Sequence, residues 1–229
     1  MVARMDMPLD DLIDPFTEAG FRAAARRGLS PAPSEAIFDP RSGEALFPSD
    51  WDLNPELKGD LAVMAPARPA AVLVPIVLRP ALTVLLTQRS PDLRSHAGQI
   101  SFPGGRVDPD DETPLDAALR EAHEEIGLPA SEIEPLGYLD SYRTGSGFQI
   151  VPVVALVQPG FTLALAPDEV SEVFEVPLQF LMDPANHRKD SREWRGRQRF
   201  SYAMPYEARY IWGATAGMLR NMHQRLFAR

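Results

Sequence analysis

One stretch near the middle of the chain constrains the fold more than any other. Thr113 is a good helix N-cap, Pro114 suits the first helical position, and Asp116 completes a capping box. Gly127 supplies the stop signal. The sequence therefore predicts a sharply bounded helix over residues 113–127, which the rest of the chain must cover on one side.

This helix has two chemically different faces. Glu121, Glu124 and Glu125 lie within about 100° of one another on a helical projection. An apolar stripe, expected to pack on a sheet, lies on another side and consists of Leu115, Leu119, Ala122 and Ile126. His123 points away from the carboxylates and is expected to face solvent. Like charges at this spacing repel, so the three carboxylates either point into water or share a cation.

The residues around the helix favour the cation. Gly104 and Gly105 permit a close approach of the backbone, and Arg120 can pair with Glu124 or with Asp116. The loop between glycines and helix carries a second acidic set, Asp108, Asp110, Asp111 and Glu112. Carboxylates beside a glycine-rich loop offer the hard oxygen ligands that Mg²⁺ or Mn²⁺ prefers.

Short apolar runs elsewhere predict strands. Residues 70–78 and 82–90 read as a strand pair, with Pro75 at an edge or a bulge. Further strands are predicted within residues 98–102, 133–142, 148–157 and 172–178. Because strands and helices alternate without a regular βαβ repeat, we expect a mixed sheet covered by helices.

Two further helices and a proline-rich segment flank these strands. Residues 14–28 predict a helix with Asp14 as its N-cap, and residues 213–227 predict a closing helix. In the closing helix, Met218, Met222 and Phe227 fall at helical spacing and are expected in the core. We expect residues 1–68 to form an N-terminal extension that packs on a domain of residues 69–229.

Composition excludes several classes of function. The 229 residues contain no cysteine, which excludes disulfides, thiolate zinc sites and a cysteine nucleophile. A net charge of −9 argues against broad nucleic-acid binding, so the basic stretch 187–200 is expected to be a solvated hairpin rather than a nucleic-acid surface. No apolar run reaches membrane-spanning length, and no signal peptide is evident. A cytoplasmic location is the expectation, and the oligomeric state is left open.

Two contiguous motifs resemble a known family. "GGRVDPDDETPLDAALREAHEEIGL", residues 104–128, resembles the Nudix box, whose second half is matched from Arg120 to Leu128. The loop before the helix is one residue longer than the usual pattern, which leaves open whether Glu112 or Asp111 takes the usual structural role. "LLTQRSPDLRSHAGQISFPGG", residues 85–105, resembles the signature of the coenzyme A diphosphatase branch of Nudix hydrolases.

This resemblance implies a fold and an activity. The fold is α+β, an α/β/α sandwich with a mixed sheet. The activity is metal-dependent hydrolysis of the pyrophosphate bond of coenzyme A, and of its thioesters, to 3′,5′-ADP and 4′-phosphopantetheine. Another nucleoside diphosphate derivative, such as ADP-ribose or NADH, is the alternative substrate. The implied partner is a small molecule, with no nucleic acid and no membrane.

The resemblance also assigns roles to residues. Mg²⁺ or Mn²⁺ is expected on Glu121, Glu124, Glu125 and the Gly105 carbonyl. The catalytic set is expected to comprise Arg120, Glu124, Glu125 and Glu169. The general base is expected to come from the helix or from Glu169. The sequence is equally consistent with Glu169 being a solvated loop carboxylate without a catalytic role. Phosphate groups favour arginine clamps, and the candidate substrate-binding residues are Arg89, Arg94, His96 and Arg106.

Overall fold

A computed structural model describes residues 13–33, 48–57, 67–194 and 196–228. Much of the predicted N-terminal extension therefore lies outside the described residues. The strands are β1 (Arg68–Val77), β2 (Thr83–Arg89), β3 (Ile100–Ser101), β4 (Gly104–Arg106), β5 (Ile133–Tyr138), β6 (Tyr142–Arg143), β7 (Phe148–Val157), β8 (Val170–Pro177), β9 (Arg188–Trp194), β10 (Arg197–Tyr206) and β11 (Arg209–Trp212). The helices are α1 (Glu18–Gly28), α2 (Pro114–Ile126), α3 (Leu178–Met182) and α4 (Ala214–Leu226).

Strands β1 to β8 form one mixed sheet around β1. Strand β1 pairs with β7 in parallel along its whole length and with β2 and β4 in antiparallel fashion. Pro75 is therefore in a central strand that pairs with β7 without a register shift, and its predicted place at an edge or a bulge was wrong. The proline is accommodated because β1 changes partner there: residues 70–72 pair with β4, and residues 76–77 pair with β2. A residue without an N–H group costs least at such a gap in the ladder.

Helix α2 covers one face of this sheet. The Thr113 cap, the capping box with Asp116 and the left-handed Gly127 stop are all present, as predicted. The predicted apolar stripe was partly wrong, because Leu115 and Leu119 are only half-buried. The fully buried contacts with the sheet are made instead by small side chains, which let the helix lie close to the strands: Ala117, Ala118 and Ala122, together with Ile126.

Helices α1, α3 and α4 cover the opposite face, which completes the expected α/β/α sandwich. Met218 and Met222 are buried as predicted, and the Phe227 ring stacks on Phe16 with ring centroids 5.4 Å apart. Helix α1 begins later than predicted, because Thr17 rather than Asp14 caps it. The Asp14 carboxylate instead accepts a hydrogen bond from the Phe16 backbone within the preceding turn.

The basic stretch forms the predicted hairpin, with β9 and β10 in antiparallel register and Gly196 at φ 74° in the turn. Strand β11, which the sequence did not predict, extends the hairpin to a second, three-stranded sheet. Part of the N-terminal segment holds this sheet in place: Arg199 pairs with Asp50 at 2.6 Å, and Asn54 bonds both backbone groups of Phe200. Among the described residues, the helices are too short or too polar to cross a membrane.

Candidate active site

The two glycines of β4 bring the sheet backbone against helix α2. A Cβ at Gly104, where φ is +153°, would lie 2.4 Å from the Ala71 carbonyl oxygen. A Cβ at Gly105 would lie 2.4 Å from Oε1 of Glu121. Real Cβ atoms do not make such contacts, so only glycine permits this approach at either position. The glycine pair therefore sets how closely the carboxylates of α2 lie to the edge of the sheet.

The three glutamates of α2 differ in exposure, although the sequence placed them on one flank. The side chain of Glu125 is 3% exposed, that of Glu121 is 16% exposed, and that of Glu124 is 58% exposed. The carboxylates thus form a gradient from the sheet to solvent. This gradient follows from the positions around α2: Glu125 lies on the same side of the helix as the buried Ala118 and Ala122, and Glu124 lies about 100° away from it.

Glu125 has a buried carboxyl group, and two neighbouring groups partly offset the cost of burying its charge. Its Oε2 accepts a hydrogen bond from the Gly104 N–H at 3.1 Å, and its Oε1 lies 3.8 Å from Nη1 of Arg89. Burial, together with the charges of Glu121 and Glu169, raises the pKa of Glu125 to about 7 against the lowering effects of the Gly104 hydrogen bond and the Arg89 charge. This arrangement leaves negative charge at the site that a bound cation would neutralise.

Glu121 lies in a related environment. Burial raises the pKa of Glu121, the neighbouring Arg120 opposes that rise, and the charges of Glu124 and Glu169 reinforce it. The charge of Glu169 acts on the pKa of both Glu121 and Glu125, which indicates that its carboxylate lies in their neighbourhood. Glu169 is itself exposed, in the turn that precedes β8.

Backbone hydrogen bonds attach the Glu169 turn to the site. The Ala166 N–H donates to the Glu125 carbonyl at 2.9 Å, and the Glu169 N–H donates to the Ala166 carbonyl at 2.9 Å. The Glu169 carbonyl in turn accepts from the Ser90 N–H at 2.8 Å. The turn is thus bonded both to the acidic helix and to the end of β2.

Arg120 joins the carboxylates of the helix to the preceding loop. Its guanidinium donates to Glu121 and Glu124 at 3.0 Å each and to the Arg106 carbonyl at 3.1 Å. It also makes two hydrogen bonds to Asp111. Of the two predicted helical partners, Glu124 is therefore the one that Arg120 contacts, since Asp116 is used in the capping box.

The candidate substrate-binding residues fall into two groups. Arg89 lies beside Glu125, and Arg106 directly follows the glycines. Arg94 and His96 occupy the exposed loop between β2 and β3, where His96 Nδ1 lies 2.9 Å from Gln99 Oε1. Among the described residues, neither Arg94 nor His96 forms an ion pair with the carboxylates. Their assignment to the substrate stays a prediction.

The donors at the site suit a hard divalent cation. They are carboxylate and backbone oxygens, and burial with mutual repulsion disfavours the charged forms of Glu121 and Glu125. In the described part of the chain, no three acidic or histidine side chains converge closely enough to hold an ion as they stand. Glu121 and Glu124 are directed to Arg120 instead. A cation shared by the three glutamates would require Glu121 and Glu124 to turn away from Arg120.

The comparisons agree with this architecture. A NUDIX domain matches residues 67–197, more than half of the chain. The chain is 44% identical over 162 residues to a protein named uncharacterized Nudix hydrolase NudL from Klebsiella pneumoniae, covering 71% of this chain and 84% of that one. It is 40% identical over 191 residues to a NudL protein of Yersinia enterocolitica, covering 82% and 97%. A crystal structure of a C. elegans Ap4A hydrolase is 21% identical, covering 48% of this chain and 80% of that chain with a TM-score of 0.42.

The family match and the relatives, together with a mixed sheet between helices and glutamates on a helix beside a glycine strand, give the class of protein as a hydrolase. The chain belongs to the Nudix hydrolase family, and its enzyme class is that of a pyrophosphatase. Members of this family generally use divalent metal ions such as Mg²⁺ or Mn²⁺ and act on small molecules.

Proposed function

We propose that this chain hydrolyses the pyrophosphate bond of coenzyme A, and of its thioesters, to 3′,5′-ADP and 4′-phosphopantetheine. One observation supports the proposal most directly: Nη1 of Arg89, in the signature of residues 85–105, lies 3.8 Å from Oε1 of Glu125, in the signature of residues 104–128. The signature of residues 85–105 supplies Arg89 and the glycines, and that of residues 104–128 supplies the carboxylates. The first of these signatures is the one that resembles the coenzyme A diphosphatase branch.

Glu121, Glu124 and Glu125, with the Gly105 carbonyl, would hold Mg²⁺ or Mn²⁺. When bound, the cation neutralises phosphate oxygens and lowers the pKa of the attacking water. The residues of the chain then have separate tasks. Glu169 accepts a proton from water as the new phosphorus–oxygen bond forms and the bridging bond breaks. The Arg89 guanidinium stabilises negative charge on the phosphate, and Arg120 positions Glu121 and Glu124.

The test is product identification. The protein is incubated with coenzyme A and Mg²⁺ or Mn²⁺, and the products are identified by mass. The expected result is 3′,5′-ADP with 4′-phosphopantetheine, and no product when the ions are chelated. The rates of cleavage of acetyl coenzyme A, ADP-ribose, NADH and nucleoside triphosphates are measured in parallel and identify the preferred substrate. If coenzyme A and its thioester are cleaved no faster than the others, another nucleotide derivative is the substrate.

A further inference from the structure

Two neighbouring arginines beside the glycine strand, Arg68 and Arg106, have no acidic partner among the residues that the structure describes. Among the described residues, the Arg68 guanidinium donates to the Ser146 carbonyl at 2.9 Å, and neither Arg68 nor Arg106 forms an ion pair. The chain has 32 acidic and 23 basic residues, so acidic partners are plentiful elsewhere. Two cations left side by side without a counter-charge are suited to an anionic ligand.

Both guanidinium groups lie over one aromatic ring. The Cζ atom of Arg68 is 4.0 Å from the centroid of the Phe148 ring, and that of Arg106 is 5.9 Å from it. Phe148 is half-buried and belongs to neither apolar core cluster, so core packing does not account for it. A guanidinium held over a ring face keeps its N–H edges available to phosphate oxygens.

The strand pairing places this group on the side of the sheet opposite α2. In the parallel ladder of β1 and β7, Arg68 is opposite Phe148, and Ala70 is opposite both Ile150 and Arg106. Because side chains alternate along a strand, these residues face away from Ala71. Ala71 packs in the core cluster under α2, and it pairs with Gly105, which contacts Glu121. The two arginines and the carboxylates thus lie on either side of the glycine strand.

Among the described strands β4 pairs with β1 alone, so a ligand held by both groups would pass around the other edge of β4. The carboxylates of α2 are suited to bind the diphosphate through a cation, which leaves any further anionic group of the substrate for the arginines. In coenzyme A, that further group is the 3′-phosphate on the adenosine. A phosphate monoester carries close to two negative charges at neutral pH, which matches two guanidinium groups.

We propose that Arg68 and Arg106, supported by the Phe148 ring, bind the 3′-phosphate of the nucleotide half of the substrate. This inference rests on the proposed function for the identity of the substrate. Under this proposal the two arginines determine specificity, because a nucleotide without a 3′-phosphate lacks the group that they bind. The diphosphate chemistry itself would be unaffected by their loss.

The test compares coenzyme A with 3′-dephospho-coenzyme A. Arg68→Gln and Arg106→Gln should each lower kcat/KM for coenzyme A by about 10- to 100-fold, mainly through KM, as expected for a lost charge-assisted hydrogen bond. For the dephosphorylated substrate, each variant should stay within about twofold of wild type. Arg68→Lys should be intermediate, because it keeps the charge without the planar fork. Arg26→Gln, an exposed arginine on α1, is the matched control and should change neither substrate.

Three results would overturn the inference: an equal loss on both substrates, no loss on either, or a loss that falls on kcat alone. Calorimetry with 3′,5′-ADP and 5′-AMP separates this inference from the proposed function. If coenzyme A is not cleaved but wild type binds 3′,5′-ADP more tightly and Arg68→Gln removes that preference, only the proposed function fails. If wild type does not discriminate between the two nucleotides, the phosphate site is refuted whatever the enzyme cleaves.

Discussion

Arg120 holds Asp111 through two parallel hydrogen bonds, Nε to Oδ1 at 3.1 Å and Nη2 to Oδ2 at 2.9 Å. Glu112, the next residue, lies exposed. The hydrogen bonds from Arg120 lower the pKa of Asp111, so its carboxylate stays ionised at neutral pH. The longer loop therefore presents the aspartate, and not the glutamate, to the arginine that aligns the helix carboxylates.

Asp111→Asn should lower kcat/KM, because Arg120 would lose a charged partner and hold Glu121 and Glu124 less well. A loss of about 10- to 100-fold is expected for such a displacement. Glu112→Gln removes the same charge one residue away and should stay within about twofold of wild type. Steady-state kinetics of both variants on coenzyme A decide the matter. A larger loss in the Glu112 variant would contradict the pairing.

Gly105→Ala should disable the site without unfolding the protein. The added methyl group would lie 2.4 Å from Oε1 of Glu121, so the flexible carboxylate must move away from the strand. Because displacement of about 1 Å can cost 100-fold in rate, kcat should fall by about that factor or more. Thermal unfolding should show a shift of only a few degrees.

A double variant identifies the cause of the small loss of stability expected in Gly105→Ala. If the clash with Glu121 is responsible, Gly105→Ala should destabilise the Glu121→Ala background much less than it destabilises wild type. Unfolding free energies of the four proteins in chelator give this coupling directly. Additive losses would mean that the backbone of β4, and not the carboxylate, rejects the methyl group.

Glu125 should make the stability of the metal-free protein depend on pH. Its folded pKa of about 7 lies above the usual value of 4.5, so the folded state keeps a proton that the unfolded state releases. Stability is then greatest below about pH 4.5 with respect to this group, and falls as pH rises to about 7. The total change is on the order of 2 kcal/mol, after allowance for relaxation around the site.

Urea unfolding in EDTA across this range measures the effect. Glu125→Gln, which keeps the shape without the titration, should lose this component of the slope and be more stable than wild type at pH 8. The same variant should lose activity by orders of magnitude with metal present. If wild type and Glu125→Gln show parallel profiles in EDTA, the buried carboxyl is not the source of the pH dependence.

Local signals explain what the sequence predicted well. The limits of α2 follow from Thr113, Pro114 and Gly127, whose preferences are set by residues within one turn. The hairpin of β9 and β10 and the buried methionines of α4 likewise follow from short-range patterns. Such features need no knowledge of which elements meet in the folded chain.

Long-range pairing explains what the sequence left undetermined. Strand β4 has only three residues, two of them glycines, and is a strand because β1 pairs with it. The difference in exposure between Glu124 and Glu125 depends on which side of α2 packs on the sheet, and the predicted stripe with Leu115 and Leu119 placed that side wrongly. Arg68 and Phe148 are 80 residues apart and meet through a parallel ladder, so no local motif marks them.

Glu169→Gln tests the assignment of the general base. Its turn is bonded to Glu125 and Ser90, and its charge raises the pKa of both Glu121 and Glu125, so the carboxylate lies in the neighbourhood of the glutamates proposed to hold the cation. Removing a general base costs about 10²- to 10⁴-fold, so kcat should fall by that factor with KM little changed. Asp168→Asn changes an exposed acid in the same turn and should leave kcat near wild type. A Glu169→Gln enzyme with full kcat would place the base among the carboxylates of α2.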